Sequence, residues 1–217
     1  MTVRSLLVAA VLGVLANGVA LAQRADPASD APEQRVAVAA PPKEAHTYVA
    51  SVAMWRSAED VNDWIGARFE YDMQRAIRLS ETQRNNAGPL PIPAPEAFFG
   101  APRGVCVDLS RFAVETLRTV DPASKPAYVM IEFAPVFVAG NTLRRHWVAT
   151  FERDGRHYFF ADSKRPGHMA GPYGSVGEFV ADYATYRGRE VIAFRVVDTY
   201  ERRTRTMAAK QSRADRP

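Results

Sequence analysis

The chain has 217 residues, 47% of them hydrophobic, and a formal net charge of +4. That length suits one compact domain with additional sequence at its ends. A single cysteine excludes an internal disulfide framework, so the core must hold by packing alone.

The basic charge is local. Between Tyr200 and Pro217, six Arg or Lys residues stand against Glu201 and Asp215, a net +4. Without Arg4 the rest of the chain is close to neutral, which argues against a nucleic-acid-binding face. Residues 1–22 read as a secretory signal peptide: Arg4, the apolar run SLLVAAVLGVLANGVALA, and a small-x-small site at Ala20-Leu21-Ala22 before Gln23. An uncleaved membrane anchor is the alternative reading of that run. Cleavage leaves no stable membrane span and a protein that works outside the cytoplasm, periplasmic or secreted. Residues 23–47, rich in Ala, Pro and Asp, read as a disordered spacer. A domain is expected over residues 48–199, followed by a basic flexible tail over 200–217.

Within the domain, Ser57-Ala58-Glu59-Asp60 has the form of a capping box. Val61, Trp64, Ile65, Phe69, Met73 and Ile77 follow at helical spacing and predict one helix to about Leu79. The proline-rich PLPIPAPEAFF predicts an extended strap. A second helix is expected from about Cys106 to Thr119, with Leu109, Phe112, Ala113 and Leu117 on its apolar face. AYVMIEFA has strand character, and HWVATFERDGRHYFFAD reads as a hairpin around Asp154-Gly155. SKRPGHMAGPYGS reads as a connecting loop, with a cleft rim as its functional alternative. Ser175-Val176-Gly177-Glu178 is a further capping box opening a short helix, and EVIAFRVV is a last strand. Helices first and strands afterwards predict an α+β domain with an antiparallel sheet.

The chemistry centres on Cys106. At a helix start, free backbone N–H groups and the positive end of the dipole favour a thiolate, and the same N–H groups suit an oxyanion. An inert buried thiol is the alternative. Asp108, in the first turn, reads as structural. Among the four histidines, His146 at the start of an apolar strand is the candidate base, and Asp162 the acid that would fix its tautomer. Register decides whether they meet. A two-residue Asp154-Gly155 turn sets Asp162 opposite Trp147, away from His146, whereas a three-residue bulged loop sets it opposite His146. The catalytic reading requires the bulge or a longer loop. No metal-ligand spacing and no glycine-rich phosphate loop are found, so no metal or cofactor is expected.

GVCVDLS resembles the Gly-x-Cys-x-Asp element of the transglutaminase-like cysteine-protease superfamily, and RHWVATFERDGRHYFFADS is similar to its His strand, turn and Asp strand. SAEDVNDWIGARFEYD and PAPEAFFGAPRGVCVD resemble the upstream helix and approach of bacterial members. The resemblance spans residues 55–197 and implies a papain/transglutaminase-like fold, a nucleophile helix packed on an antiparallel β-sheet. It implies Cys106 as nucleophile, His146 as general base and acid, and Asp162 as orienting carboxylate. Trp147 directly after His146, where the family commonly has His-Ala-Trp, departs from the pattern, as does Asp162-Ser163-Lys164. The expectation is an exported peptidase or amidase acting on a peptide or protein of the cell envelope. Protein crosslinking is a variant of that chemistry. A non-catalytic envelope-binding protein that keeps the fold is the alternative from another class.

Overall fold

The computed structural model describes residues 30–33, 41–88 and 90–200. Residues 1–22, expected to be a signal peptide, and the expected tail beyond Tyr200 lie outside the described residues. Among those described, no helix is long and apolar enough to cross a membrane.

The fold is α+β. Helices α1 (Tyr48–Met54) and α2 (Ala58–Arg68) come first, then a short strand β1 (Glu70–Tyr71) and helices α3 (Met73–Arg78), α4 (Glu81–Ala87) and α5 (Pro95–Gly100). Strand β2 (Arg103–Gly104) leads into α6 (Cys106–Val120), and a 3-10 turn at Pro122–Ser124 leads to β3 (Ala127–Val138). Strands β4 (Asn141–Arg153), β5 (Arg156–Phe160) and β6 (Ala170–Tyr173), helix α7 (Val176–Arg187) and strand β7 (Val191–Val197) complete it. Strands β3 to β7 form an antiparallel sheet in the order β6-β5-β4-β3-β7.

Both faces of this sheet are covered over Tyr128–Ile131, Val148–Phe151 and Phe159–Phe160, which explains why these stretches are mostly apolar rather than alternating, whereas edge strand β7 is exposed from Ile192 to Val196. On one face, Tyr128, Ala149, Phe151 and Phe160 meet Leu109, Phe112 and Leu117 of α6, with Trp55, Trp64 and Phe98 behind them. Trp64 lies 4.7 Å from Phe112 and stacks on Phe99 at 4.9 Å between ring centres. On the other face, Val129, Ile131, Val148 and Phe159 meet Phe179, Val180 and Tyr183 of α7, where Phe159 and Phe179 stack at 3.7 Å. Strand residues i and i+1 therefore serve different cores.

Helix α6 lies where expected, and the Ser175 hydroxyl caps α7 by accepting from the Glu178 N–H at 3.2 Å. Three expectations need correction. The helix expected from Ser57 to Leu79 is broken at Phe69, whose ψ of 132° is extended. Glu70 and Tyr71 pair in parallel with Arg103 and Gly104, and the Asp72 carboxylate restarts the helix by accepting from the Arg75 N–H at 2.9 Å. Tertiary strand pairing here overrides a helical apolar period. The strap is extended only as far as Ala94, because Pro95 suits a first helical position and opens α5. The loop after Asp162 contains edge strand β6, in which Gly171 (φ +134°) approaches Tyr158 so closely that a Cβ would stand 2.8 Å from its ring.

Candidate active site

Cys106 occupies the first position of α6 and lines a cleft of about 1110 Å³. Leu79, Pro91, Arg145 and Trp147 also line this cleft. The helix start is held by Asp108, which is fully buried. Its carboxylate accepts from the Val105 N–H at 2.9 Å and from Arg75 through two hydrogen bonds of 2.6 Å. Gly104 is required here for space: a Cβ would stand 2.7 Å from the Asp108 carboxylate. The backbone N–H of Trp147 favours the Cys106 anion.

His146 lies in β4, fully buried, with its ring stacked on Tyr183 at 5.4 Å. Its Nε2 stands 3.1 Å from Asp162 Oδ1 and 2.9 Å from the Tyr183 hydroxyl. Its Nδ1 stands 3.3 Å from Asp30 Oδ1. A ring nitrogen of His146, the Cys106 sulfur and a carboxylate oxygen of Asp30 all lie within 4.8 Å of one another. The three residues singled out from the sequence thus converge on one imidazole. His157 lies in β5 opposite Glu152, and His168 donates its backbone N–H to the Arg165 carbonyl in the loop before β6.

The convergence does not arise as the register argument required. Arg153 pairs with Arg156 across a two-residue turn in which Asp154 (φ 52°) and Gly155 (φ 68°) are both left-handed. This is the register that sets Asp162 on the Trp147 face. The chain corrects it after β5 ends: Ala161 is left-handed (φ 59°), breaks the alternation and turns Asp162 to the His146 side. That conformation costs a non-glycine residue about 1–2 kcal/mol, offset here by full burial of the Ala161 side chain.

Three site residues had no role assigned from the sequence. Tyr183 donates to Asp162 Oδ1 at 2.9 Å and accepts from Arg187 at 3.2 Å, tying α7 to the histidine. Arg187, 2% exposed, donates to Asp30 Oδ1 at 2.8 Å. Their four-residue spacing on α7 was legible, but nothing in the sequence tied that helix to Cys106. Asp30 belongs to the stretch read as spacer and carried no signal.

Burial pushes the Cys106 thiol up. The His146 hydrogen bond and the Trp147 N–H work against this, while the Asp30 charge adds to it. Burial also opposes charge on His146, yet its pKa stands well above the ordinary value. The Asp30 charge and the acceptance of ring N–H groups by Asp162, Asp30 and Cys106 favour the imidazolium. For Asp162, burial alone would raise the pKa. The hydrogen bond and charge of His146, with Arg165 and the Lys164 N–H, bring it down to about 2.

These directions fix a pH dependence. Asp162 titrates lower in the fold than its ordinary 3.8, so its stabilisation is full above that value and is lost as pH falls toward 2. The gap corresponds to roughly 2 kcal/mol. His146 has the opposite sign: its contribution is full below 6.5 and is lost as pH rises through its higher folded value. Urea unfolding of Asp162→Asn should lose stability less steeply than the unaltered chain between about pH 4 and pH 2. An equally steep acid limb would mean that Asp162 is not held ionised by this network.

Carboxylate, thiolate and imidazole are also donors that suit zinc. Their three residues come from distant parts of the chain, so ligand spacing could not reveal them. A metal ion among them would share the Asp30 carboxylate with the Arg187 guanidinium, a like charge placed against it. The arrangement better suits an imidazole held between a carboxylate and a thiol.

Fold and site together define an α+β protein with a thiol, an imidazole and carboxylates gathered at the start of a buried helix. No protein-family model matches the chain, and comparison with curated proteins finds no similar one.

Proposed function

We propose that this protein is an exported cysteine peptidase or amidase related to the transglutaminase-like cysteine proteases. The observation that carries the reading is the His146 ring, set between Asp162 on one nitrogen and the Cys106 thiol nearby, with the chain order Cys, His, Asp. The Cys106 thiolate, beside the His146 imidazolium, adds to an amide carbonyl carbon. The imidazolium delivers its proton to the leaving nitrogen as the C–N bond breaks. Water then adds to the thioester carbon and loses a proton to His146, and the C–S bond breaks to release the acid and restore the thiolate–imidazolium pair. Backbone N–H groups at the start of α6 face the developing oxyanion. Asp162 and Tyr183 hold the imidazole in place.

The test follows Cys106 alkylation by iodoacetamide against pH in the full-length Asp30→Ala chain, with and without His146→Ala. Labelling that persists well below the ordinary thiol pKa of about 8.5, and loses it at least tenfold in the double variant, is expected. Labelling that rises only near that pH, indifferent to His146, would instead leave a binding protein that keeps the fold.

A further inference from the structure

The acidic segment Asp30–Glu33 occupies the centre of the site. Asp30 reaches both His146 and Arg187 with one carboxylate oxygen. Three residues on, the Glu33 carboxylate lies 3.1 Å from the Lys164 ammonium and accepts from the Tyr186 hydroxyl, and the Glu33 N–H donates to the Lys164 carbonyl at 3.1 Å. The segment is held as a peptide ligand would be, by a main-chain hydrogen bond and two carboxylate anchors.

Both cations on the receiving side are built into the fold. The side chains of Arg187 and Lys164 are 0% and 1% exposed. Burying a guanidinium is costly unless an anion faces it. Yet the anion provided here blocks catalysis, because the Asp30 carboxylate stands within 4.8 Å of the sulfur and a ring nitrogen. An amide cannot enter until Asp30 leaves, and Arg187 then faces the space it vacates.

Resting on the proposed thiol chemistry, we infer that Arg187 is a specificity residue that binds a carboxylate of the substrate, for which Asp30 is the built-in stand-in. The substrate is then an acidic peptide with a carboxylate a few bonds from the scissile carbonyl. Two sources fit: an aspartate side chain on the acyl side, or a free α-carboxylate on the leaving side.

Iodoacetate and iodoacetamide test this on the full-length chain. In both, the Cys106 sulfur displaces iodide from a methylene carbon, and only iodoacetate carries a carboxylate beside it. The ratio of the two rates cancels the reactivity of the thiol, so it reads the subsite even if His146 does not activate the sulfur. The absolute iodoacetamide rate reports on the proposed chemistry separately. Asp30→Ala should shift the ratio toward iodoacetate by about tenfold, equivalent to about 1.4 kcal/mol, and Arg187→Gln in that background should remove the shift. Because the Arg187 variant can fail to fold, protection provides a second measurement in Asp30→Ala alone. N-acetylaspartate α-amide or N-acetylalanine, at millimolar concentration, should slow iodoacetamide labelling, while neutral N-acetylalanine amide should not. Protection by the first places the substrate carboxylate on the acyl side, and protection by the second on the leaving side. An unmoved ratio together with no protection by either acid overturns the inference and leaves Arg187 as a support for Tyr183.

Discussion

In Asp30→Asn, iodoacetamide labelling of Cys106 at pH 7 is expected to be at least about tenfold faster than in the unaltered chain. The thiol is held protonated first by burial, against which the His146 hydrogen bond works, and the Asp30 charge adds to the burial. Asp30 is also the anion that neutralises the His146 imidazolium in the resting arrangement. Beside Asp162, which holds Nε2, the Asp30 carboxylate and the Cys106 thiolate compete for the ring, and the carboxylate wins because its intrinsic acidity is far greater. Asparagine keeps the shape of the residue and removes the charge, so the thiolate becomes the anion left to pair with the ring. Below the thiol pKa, each unit of decrease raises the thiolate fraction tenfold. The check is the pseudo-first-order labelling rate by intact-mass measurement. A rate equal to that of the unaltered chain would show that the Asp30 charge does not restrain the thiol.

Asp108→Ala should cost about 3–5 kcal/mol of folding stability, the range for breaking a buried ion pair by removing one partner. The carboxylate has no exposure and holds the Arg75 guanidinium, whose side chain is 15% exposed, through two hydrogen bonds of 2.6 Å. It also accepts the Val105 N–H at the entrance to α6. Alanine leaves that N–H and the guanidinium without their carboxylate, and the first turn of α6 loses the contact that fixes Cys106. Urea unfolding gives the stability change, and Cys106 labelling in the folded variant gives the displacement of the sulfur. A loss under about 1 kcal/mol would mean that water satisfies both groups and that the helix start is held elsewhere.

Both expectations turn on charges that meet across long stretches of chain, and this marks where sequence reasoning reached its limit. Local patterns carried the local elements. The apolar face from Leu109 to Leu117 specified α6, Asp154-Gly155 specified the hairpin turn, and Ser175 with Glu178 specified the start of α7. Each depends on side chains a few residues apart, so the sequence holds the needed information. Cys106 at a helix N-terminus followed in the same way, whereas its grouping with His146 and Asp162 was expected from a resemblance carried by three short motifs.

What brought them together was not legible. By the hairpin register alone, Asp162 belongs on the wrong face of the sheet, and one left-handed residue, Ala161, reverses this. Alanine gives no local sign of that conformation, which the surrounding packing imposes. Tertiary packing likewise broke the apolar period at Phe69, because pairing of Glu70–Tyr71 with Arg103–Gly104 satisfies backbone groups that a continuous helix would have used differently. Asp30, Tyr183 and Arg187 entered the site from opposite ends of the chain. The sequence by itself determined that the one thiol of the chain sits at the start of α6. Only the tertiary structure decided which charges surround it, because a buried charge takes its partner from whatever the fold brings within a few ångströms.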